Sequence, residues 1–241
     1  MKIGLLLCDV VREHFQVKHG GYPQMFTHLF ASCQQNDAIE LVFYAVLDGH
    51  YPQEIDECDG YIISGSRACV NDDEAWIHAL EDYVHQLNER QKKCVGICFG
   101  HQMIAKALGG KVERSDKGWG LGVMACQLMK IMPWMAKNRN GGDLSEVSLV
   151  MSHQDQVICL PDSASVLASS EFCSYGMFQL GSHFLGIQGH PEFSTDYCHD
   201  LIKLRSTILS AELVNSSFLS LKVAPDATWM AQSIVNFFAA D

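Results

Sequence analysis

The sequence predicts one α/β domain, built on a mostly parallel sheet with helices on its faces. The first observation is a series of short apolar runs that alternate with helix-like stretches, an order typical of parallel sheets. The second is composition: 241 residues, 48% hydrophobic and 19% charged, suit one folded domain with its own core. No repeat, linker or low-complexity tract divides the chain, so residues 1–241 are assigned to a single domain.

The first half of the chain supplies most of the predicted parallel sheet. Short apolar, mostly β-rich runs predict four strands, at residues 2–9, 40–48, 60–64 and 94–98. Helix-like patterns predict three helices, at residues 23–35, 73–90 and 99–108. Gly109-Gly110 follows the last helix and suits its C-cap, because glycine readily adopts the left-handed conformation found there.

The second half predicts shorter connections and a helical end. Its β-type runs lie at residues 120–131, 147–151, 164–169, 174–181 and 183–189, the last two resembling a hairpin around Gly181-Ser182. Residues 132–145 predict a surface loop with some helix. From residue 194 the pattern is helical with a break near Pro225. We therefore expect a core of about residues 1–195 and a helical tail, residues 194–241, that completes the core.

The charge balance and the hydropathy pattern limit the partners. Seventeen basic against 28 acidic side chains give a net charge of −11, which repels phosphate backbones, and no basic run offsets it. No apolar stretch approaches the roughly 18–20 residues of a membrane span. We expect a small-molecule substrate, and neither nucleic acid nor a membrane as a partner.

The ten cysteines are scattered and include no C-x-x-C pair, which argues against zinc ribbons and thioredoxin-type sites. The apolar run at the N-terminus is too short for a signal peptide and lacks a cleavage site. The sequence therefore predicts a cytoplasmic protein with reduced thiols. It implies no metal and no cofactor.

Cys98 is the strongest candidate for a functional residue. It follows a predicted buried strand, precedes a predicted helix and is flanked by Gly96 and Gly100, which would relieve crowding in a sharp turn. The carboxyl ends of parallel strands collect ligands, and the free amides at a helix start favour a thiolate. The alternative is a structural cysteine that ends a core strand.

His190 and Glu192 supply the groups that such a thiolate needs. A histidine can take the thiol proton and return one to a leaving amine, and a carboxylate can orient the imidazole. The backbone amides of Gly65 and Phe99 are candidates for an oxyanion hole. Residues 151–157 form a polar segment between two strands, either a plain turn or a site where His153 is a second base. His-Pro-Glu could likewise be only a turn.

Three motifs together resemble class I glutamine amidotransferases. They are Gly96-Ile97-Cys98-Phe99-Gly100-His101-Gln102, the Met-Ser-His-x-Asp-x-Val segment at 151–157, and Gly189-His190-Pro191-Glu192. The order matches over roughly residues 40–195, and the chain is most similar to the glutaminase domain of GMP synthases and its stand-alone relatives. The resemblance implies a flavodoxin-like fold, and the helical pattern from residue 194 adds a C-terminal extension beyond what a bare glutaminase domain needs.

The same resemblance implies roles for individual residues. Cys98, His190 and Glu192 would form a catalytic triad that carries a γ-glutamyl thioester on the cysteine. Gly65 and Phe99 would form the oxyanion hole. The α-amino and α-carboxyl groups of glutamine would be held by Gln102 and by the backbone around Ser152, His153 and Gln154.

Departures from the family pattern leave the substrate open. This chain has Gly65-Ser66-Arg67 where synthase-linked domains have Gly-Gly-Pro, and Gln154 where they have glycine. No ATP-binding loop or synthetase domain follows, so any ammonia acceptor would be a separate synthetase subunit.

The leading hypothesis is an amidotransferase-like hydrolase that converts glutamine to glutamate and ammonia. The main alternative is a γ-glutamyl peptidase that acts on peptides or conjugates without an acceptor. Two further hypotheses are a DJ-1/PfpI-type protein, which would lack the His-Pro-Glu segment, and a non-catalytic regulatory module.

Overall fold

A computed structural model describes residues 1–33, 39–138 and 141–240. The end of the predicted helix 23–35, two positions of the predicted loop 132–145 and the last residue of the tail lie outside these ranges. The strands are β1 Lys2–Leu7, β2 Glu40–Ala45, β3 Gly60–Ile63, β4 Lys93–Ile97, β5 Lys111–Arg114, β6 Gly120–Leu128, β7 Glu146–His153, β8 Asp155–Cys159, β9 Ser165–Ser169, β10 Met177–Leu180 and β11 Phe184–Ile187. The α-helices are α1 Glu13–His19, α2 Tyr22–Ala31, α3 Ala75–Glu89, α4 Phe99–Ala107, α5 Thr195–Arg205, α6 Ala211–Ser220 and α7 Ala227–Ala239.

The central sheet confirms the predicted α/β class. In the described part of the chain it has nine strands in the order β2-β1-β3-β4-β11-β10-β9-β6-β7, with β5 and β8 in a separate ribbon. The first five strands of that order are mutually parallel, and the remaining neighbours pair antiparallel. Only β6 and β10 therefore oppose the common direction among the strands of this sheet, which makes it mostly parallel.

Two buried clusters flank the sheet. Helices α3 and α4 cover one face, where Tyr61, Phe99 and Phe178 are fully buried. Helices α2 and α7 lie on the other face and pack against each other, with Phe26 and Ile234 in their cluster. Burial of such apolar area, at roughly 25 cal/mol per Å², is the main force that holds helices onto a sheet.

The helices of the tail lie in two different parts of the fold. Helix α7 buries Met230, Ile234 and Phe237 in the core, as expected for a segment that completes it. Helix α5 instead packs beside β6 and β7, at the end of the sheet where ligands are expected. The predicted break near Pro225 falls between α6 and α7.

Three elements were absent from the sequence prediction. Helix α1 buries no side chain, so residues 13–19 carry no apolar periodicity that would identify a helix. In β5 only Val112 is buried, and its partner β8 begins inside the segment predicted as a polar turn. Strand β7 also runs on through His153, so Gln154 alone separates β7 from β8.

No helix within the described ranges is long and apolar enough to cross a membrane. In those same ranges, no group of His, Cys, Asp and Glu side chains is arranged to hold a metal ion. All ten cysteines are free thiols.

Candidate active site

The ends of three adjacent parallel strands bring the predicted residues together. Leu6 of β1 pairs with Ile63 of β3, and Ile63 pairs with Gly96 of β4. Asp9, the Ser64-Gly65-Ser66 turn and Cys98 therefore emerge at one edge of the sheet. The hydroxyl Oγ of Ser64 ties two of these ends together, because it accepts a 2.9 Å hydrogen bond from the backbone N–H of Cys8.

Cys98 lies on a sharp turn between β4 and α4. Its backbone has φ +50° and ψ −96°, a conformation that non-glycine residues rarely adopt. A Cβ atom on Gly96 would lie 2.3 Å from the carbonyl oxygen of Gly100, and one on Gly100 would lie 2.4 Å from the carbonyl oxygen of Ile63. Both flanking glycines are therefore required by close backbone contacts. The strained turn presents the side chain to the end of the sheet.

His190 is held beside Cys98 by contacts on all sides. Its backbone N–H donates a 2.8 Å hydrogen bond to the carbonyl oxygen of Val150, and its Nδ1 lies 2.8 Å from Oε1 of Glu192. The ring stacks on Phe193 with centroids 4.0 Å apart and planes within 4°. The Glu192 side chain has no solvent exposure. The pairing with Glu192 fixes Nδ1 as the protonated nitrogen and leaves Nε2 for the thiol.

The electrostatic surroundings favour a protonated His190. Burial alone would lower the pKa of the imidazole. The negative charges of Cys98 and Glu192, with hydrogen bonds to both side chains, outweigh burial and raise the pKa to about 10. A protonated imidazole in this position can donate a proton to a leaving group.

Gly65 and Phe99 lie against this pair. A Cβ atom on Gly65 would be 2.7 Å from Cε1 of His190 and 3.7 Å from Cβ of Cys98. Phe99 is the first residue of α4, so its N–H has no helical acceptor. In the part of the chain that the structure describes, neither of these two amides donates to another protein group. Both are available to an oxygen atom of a ligand.

Gly65→Ala is expected to reduce turnover about a hundred-fold, because the new methyl group would displace the His190 ring, and a shift of about 1 Å in a catalytic group has an effect of that size. The measurement is kcat/KM on a γ-glutamyl dipeptide. Gly142→Ala is the matched control, since its Cβ would meet its nearest atom, Asn138 Nδ2, at 3.4 Å, an ordinary contact. Equal activity of both variants would show that Gly65 is not confined by His190.

The four predicted substrate-binding residues line the cavity that opens beside Cys98 and His190. The side-chain amide nitrogen of Gln102 donates to the carbonyl oxygen of Asp155 at 2.7 Å and to Oε1 of Gln188 at 3.1 Å. Ser152 accepts a 3.3 Å hydrogen bond from Arg205, and Gln154 accepts one from the N–H of Ser115 through its backbone carbonyl.

His153 is buried, with Nδ1 placed 3.1 Å from the carbonyl oxygen of Asp155. Burial lowers the pKa of His153 to about 4, partly offset by that carbonyl. His101 is fully buried against Phe178, and burial lowers its pKa to about 3. Neither Nε2 atom has a hydrogen-bond partner among the described residues. Both rings are therefore neutral near pH 7, and His153 is a poor acceptor for a second proton-transfer role.

These neutral histidines predict a loss of stability in acid. Below the ordinary histidine pKa of about 6.5 the unfolded chain gains protons that the folded chain does not, so the free energy of unfolding falls as pH drops from about 6.5 towards 4. His101→Gln should remove up to about 1.4 kcal/mol per pH unit from this slope. Urea unfolding at several pH values measures it, with His85→Gln on the exposed face of α3 as control. An unchanged slope in His101→Gln would contradict the assignment.

Asp9 and Arg67 form an ion pair that the sequence did not predict. Nε and NH2 of Arg67 reach the two carboxylate oxygens of Asp9 at 2.8–3.2 Å, and the Arg67 backbone N–H donates to Oδ2 at 3.0 Å. This bidentate contact ties the end of β1 to the turn that holds Gly65. Arg67 stands at the position where the sequence departs from the Gly-Gly-Pro pattern of synthase-linked domains.

A cavity of about 490 Å³ opens from Cys98 and His190. The loop after β1 contributes Val10, Val11 and Arg12 to its lining. Helix α5 contributes Tyr197, Leu201, Leu204 and Arg205, and Trp119 closes another side. The size lies in the range of sites for small ligands.

The arrangement can perform acyl transfer. It holds, beside one cavity, a thiol on a strained turn, a histidine of raised pKa with an orienting carboxylate, and two backbone amides without a protein acceptor among the described residues.

Comparison with known proteins identifies the family. The model of the family described as glutamine amidotransferase class-I matches residues 30–203. Gamma-glutamyl peptidase 3 of Arabidopsis thaliana is 33% identical over 98% of this chain and 96% of its own length. A GMP synthase [glutamine-hydrolyzing] of Macrococcus caseolyticus is also 33% identical, over only 45% of this chain and 20% of its own length.

Among solved structures, a glutamine amidotransferase from Thermotoga maritima superposes with a TM-score of 0.72. The alignment covers 98% of this chain and 96% of that one at 17% identity. At this identity the likeness concerns the fold, and it includes the C-terminal helices.

Proposed function

Because the chain belongs to the class I glutamine amidotransferase family, we propose that it is a cysteine hydrolase that cleaves the γ-glutamyl amide bond of small peptides. The observation that carries the proposal is the placement of Cys98 and His190, with Glu192 behind the imidazole, at one end of a cavity that extends well beyond them. The family and its γ-glutamyl peptidase member support an enzyme of this class.

In the proposed reaction the thiolate of Cys98 attacks the γ-carbonyl carbon. The backbone amides of Gly65 and Phe99 donate to the oxyanion that forms. The imidazolium of His190 gives its proton to the leaving nitrogen as the C–N bond breaks, which leaves a γ-glutamyl thioester and a free amine. His190 then takes a proton from water, which attacks the thioester, releases glutamate and restores the thiolate–imidazolium pair. Glu192 keeps the imidazole in one tautomer and orientation throughout.

A peptide substrate is favoured over glutamine by two observations. The relative named gamma-glutamyl peptidase matches nearly the whole chain, whereas the GMP synthase matches less than half of it. The cavity also continues past the catalytic pair to α5 and Trp119, which provides room for a leaving group larger than ammonia.

Glutamine hydrolysis for a synthetase partner is the second candidate, because the GMP synthase relative and the solved amidotransferases share the family. In that case ammonia would pass to a separate subunit. We place either activity in the cytoplasm, in keeping with ten free thiols.

Glutamate release by the purified chain distinguishes the two candidates. A γ-glutamyl dipeptide and glutamine are compared at equal concentration, with Cys98→Ala as control for contaminating activity. The proposal expects turnover of the dipeptide to exceed that of glutamine. Preference for glutamine, or silence on both substrates while Cys98 remains reactive, would contradict the peptidase proposal and favour the amidotransferase subunit.

A further inference from the structure

Four arginines line the cavity, although the chain as a whole is strongly acidic. They are Arg12, Arg67, Arg114 and Arg205. Its net charge of −11 makes a local excess of positive charge informative, because the average surface of this protein repels anions.

Two of the four arginines are neutralised by acidic groups of the same cavity. Arg67 is paired with Asp9, at 2.8 Å between NH2 and Oδ1. Arg114 lies 3.4 Å from Asp155, between Nε and Oδ1. These contacts use both aspartates that line the cavity.

Arg205 lies in the last turn of α5, and no carboxylate of the described residues pairs with it. Its guanidinium lies over the Trp119 ring, 4.8 Å from the ring centroid, and NH1 donates to Oγ of Ser152 at 3.3 Å. Stacking on an indole holds the planar group in one orientation and leaves edge N–H donors for a ligand. Its position is therefore set before a ligand arrives.

Arg12 lies on the loop after β1 and lines the same cavity as Arg205. It is exposed, and among the described residues no carboxylate pairs with it. Burial lowers the pKa of Arg205, and the charge of Arg12 lowers it further, against the opposite effect of Tyr197. Two cations left facing one opening are stabilised when an anion lies between them.

We propose that Arg12 and Arg205 bind a carboxylate on the leaving-group part of the substrate, so that the enzyme selects acidic γ-glutamyl peptides with a free C-terminal carboxylate. This rests on the proposed function. The glutamyl part already brings one carboxylate and one ammonium, which balance each other, so it does not require two additional cations.

The test compares γ-glutamylglycine with γ-glutamylglycinamide, which differ only in the C-terminal charge. The expected ratio of kcat/KM, acid over amide, is about ten in the wild-type chain, the size of a charge-assisted hydrogen bond. Arg12→Gln/Arg205→Gln should bring the ratio close to one. Raising the salt concentration should reduce the wild-type ratio, because partly exposed charges are screened. Lys203→Gln removes a charge from an exposed position of the same helix and should leave the ratio unchanged.

A wild-type ratio near one, or a ratio that the double variant leaves unchanged, overturns the inference. Equal losses on glutamine, acid and amide would leave the ratio unchanged and assign the arginines to the shared glutamyl carboxylate. Calorimetric binding of the two ligands to Cys98→Ala tests the same preference without turnover. If the chain hydrolyses neither ligand but binds the acid more tightly than the amide, only the proposed function is contradicted. If it hydrolyses the acid and the amide equally well, only the inference is contradicted.

Discussion

Replacing Cys98 with alanine is expected to lower hydrolysis of a γ-glutamyl dipeptide by at least about 10⁴-fold, because no other group in the cavity can form the covalent intermediate. The fold should be retained, since Cys98 contributes little core volume and its backbone strain remains. Cys98→Gly should retain the fold with a free energy of unfolding about 1 kcal/mol higher, because glycine tolerates a φ of +50°.

The control is Cys159→Ser, which removes an exposed thiol far from the cavity and should leave activity unchanged. His190→Ala should have an effect as large as Cys98→Ala, and the double variant should be no worse than either single one, because the two groups act as a unit. Additive losses would show that Cys98 and His190 contribute independently, and would contradict the proposed thiolate–imidazolium pair.

Gly96→Ala is expected to cause the largest loss of stability, about 4 kcal/mol, and to abolish activity. The new Cβ would lie 2.3 Å from the carbonyl oxygen of Gly100, 2.4 Å from its carbonyl carbon and 2.6 Å from the backbone nitrogen of His101. All three are backbone atoms of the first turn of α4, so relief requires the helix to move away from β4. Urea unfolding monitored by tryptophan fluorescence measures the free energy of unfolding.

Gly142→Ala provides the comparison for this effect, and its free energy of unfolding should change by less than about 0.5 kcal/mol. If Gly96→Ala were as stable and active as the control, the turn at Cys98 would not depend on close contact between β4 and α4. The positive φ of Cys98 would then need another cause.

The parts of the fold that carry a hydrophobic period could be predicted from the sequence. The parallel strands β1, β3 and β4 are buried along nearly their whole length, so they are recognisable as continuous apolar runs. Helix α3 buries one stripe of side chains, which gives its sequence a helical period. Helix α1 has no buried residue, and β5 has one, so neither leaves such a signal. The order of the strands in the sheet depends on contacts distant in sequence and was not predicted.

In the candidate site, too, the residues marked by local sequence patterns could be predicted, and those brought together by distant contacts could not. Cys98, His190 and Glu192 could be proposed from the sequence because glycines at defined spacing and a His-Pro-Glu segment are local features. The pairing of Arg67 with Asp9 and the stacking of Arg205 on Trp119 join residues 58 and 86 positions apart, and nothing local identifies them. These two pairs line the cavity around the candidate site. The motifs shared with the family do not include them and therefore do not identify the substrate.

The most direct test of the account is the site at which a glutamine-like electrophile modifies the wild-type chain, measured by peptide mass spectrometry. The account predicts one label per chain, on Cys98, and protection from labelling by a γ-glutamyl dipeptide. Cys98 is buried and Cys159 is exposed, so simple accessibility would give the opposite order. Labelling of Cys159 in preference to Cys98, or labelling of Cys98 that the dipeptide does not slow, would contradict a γ-glutamyl site built around Cys98.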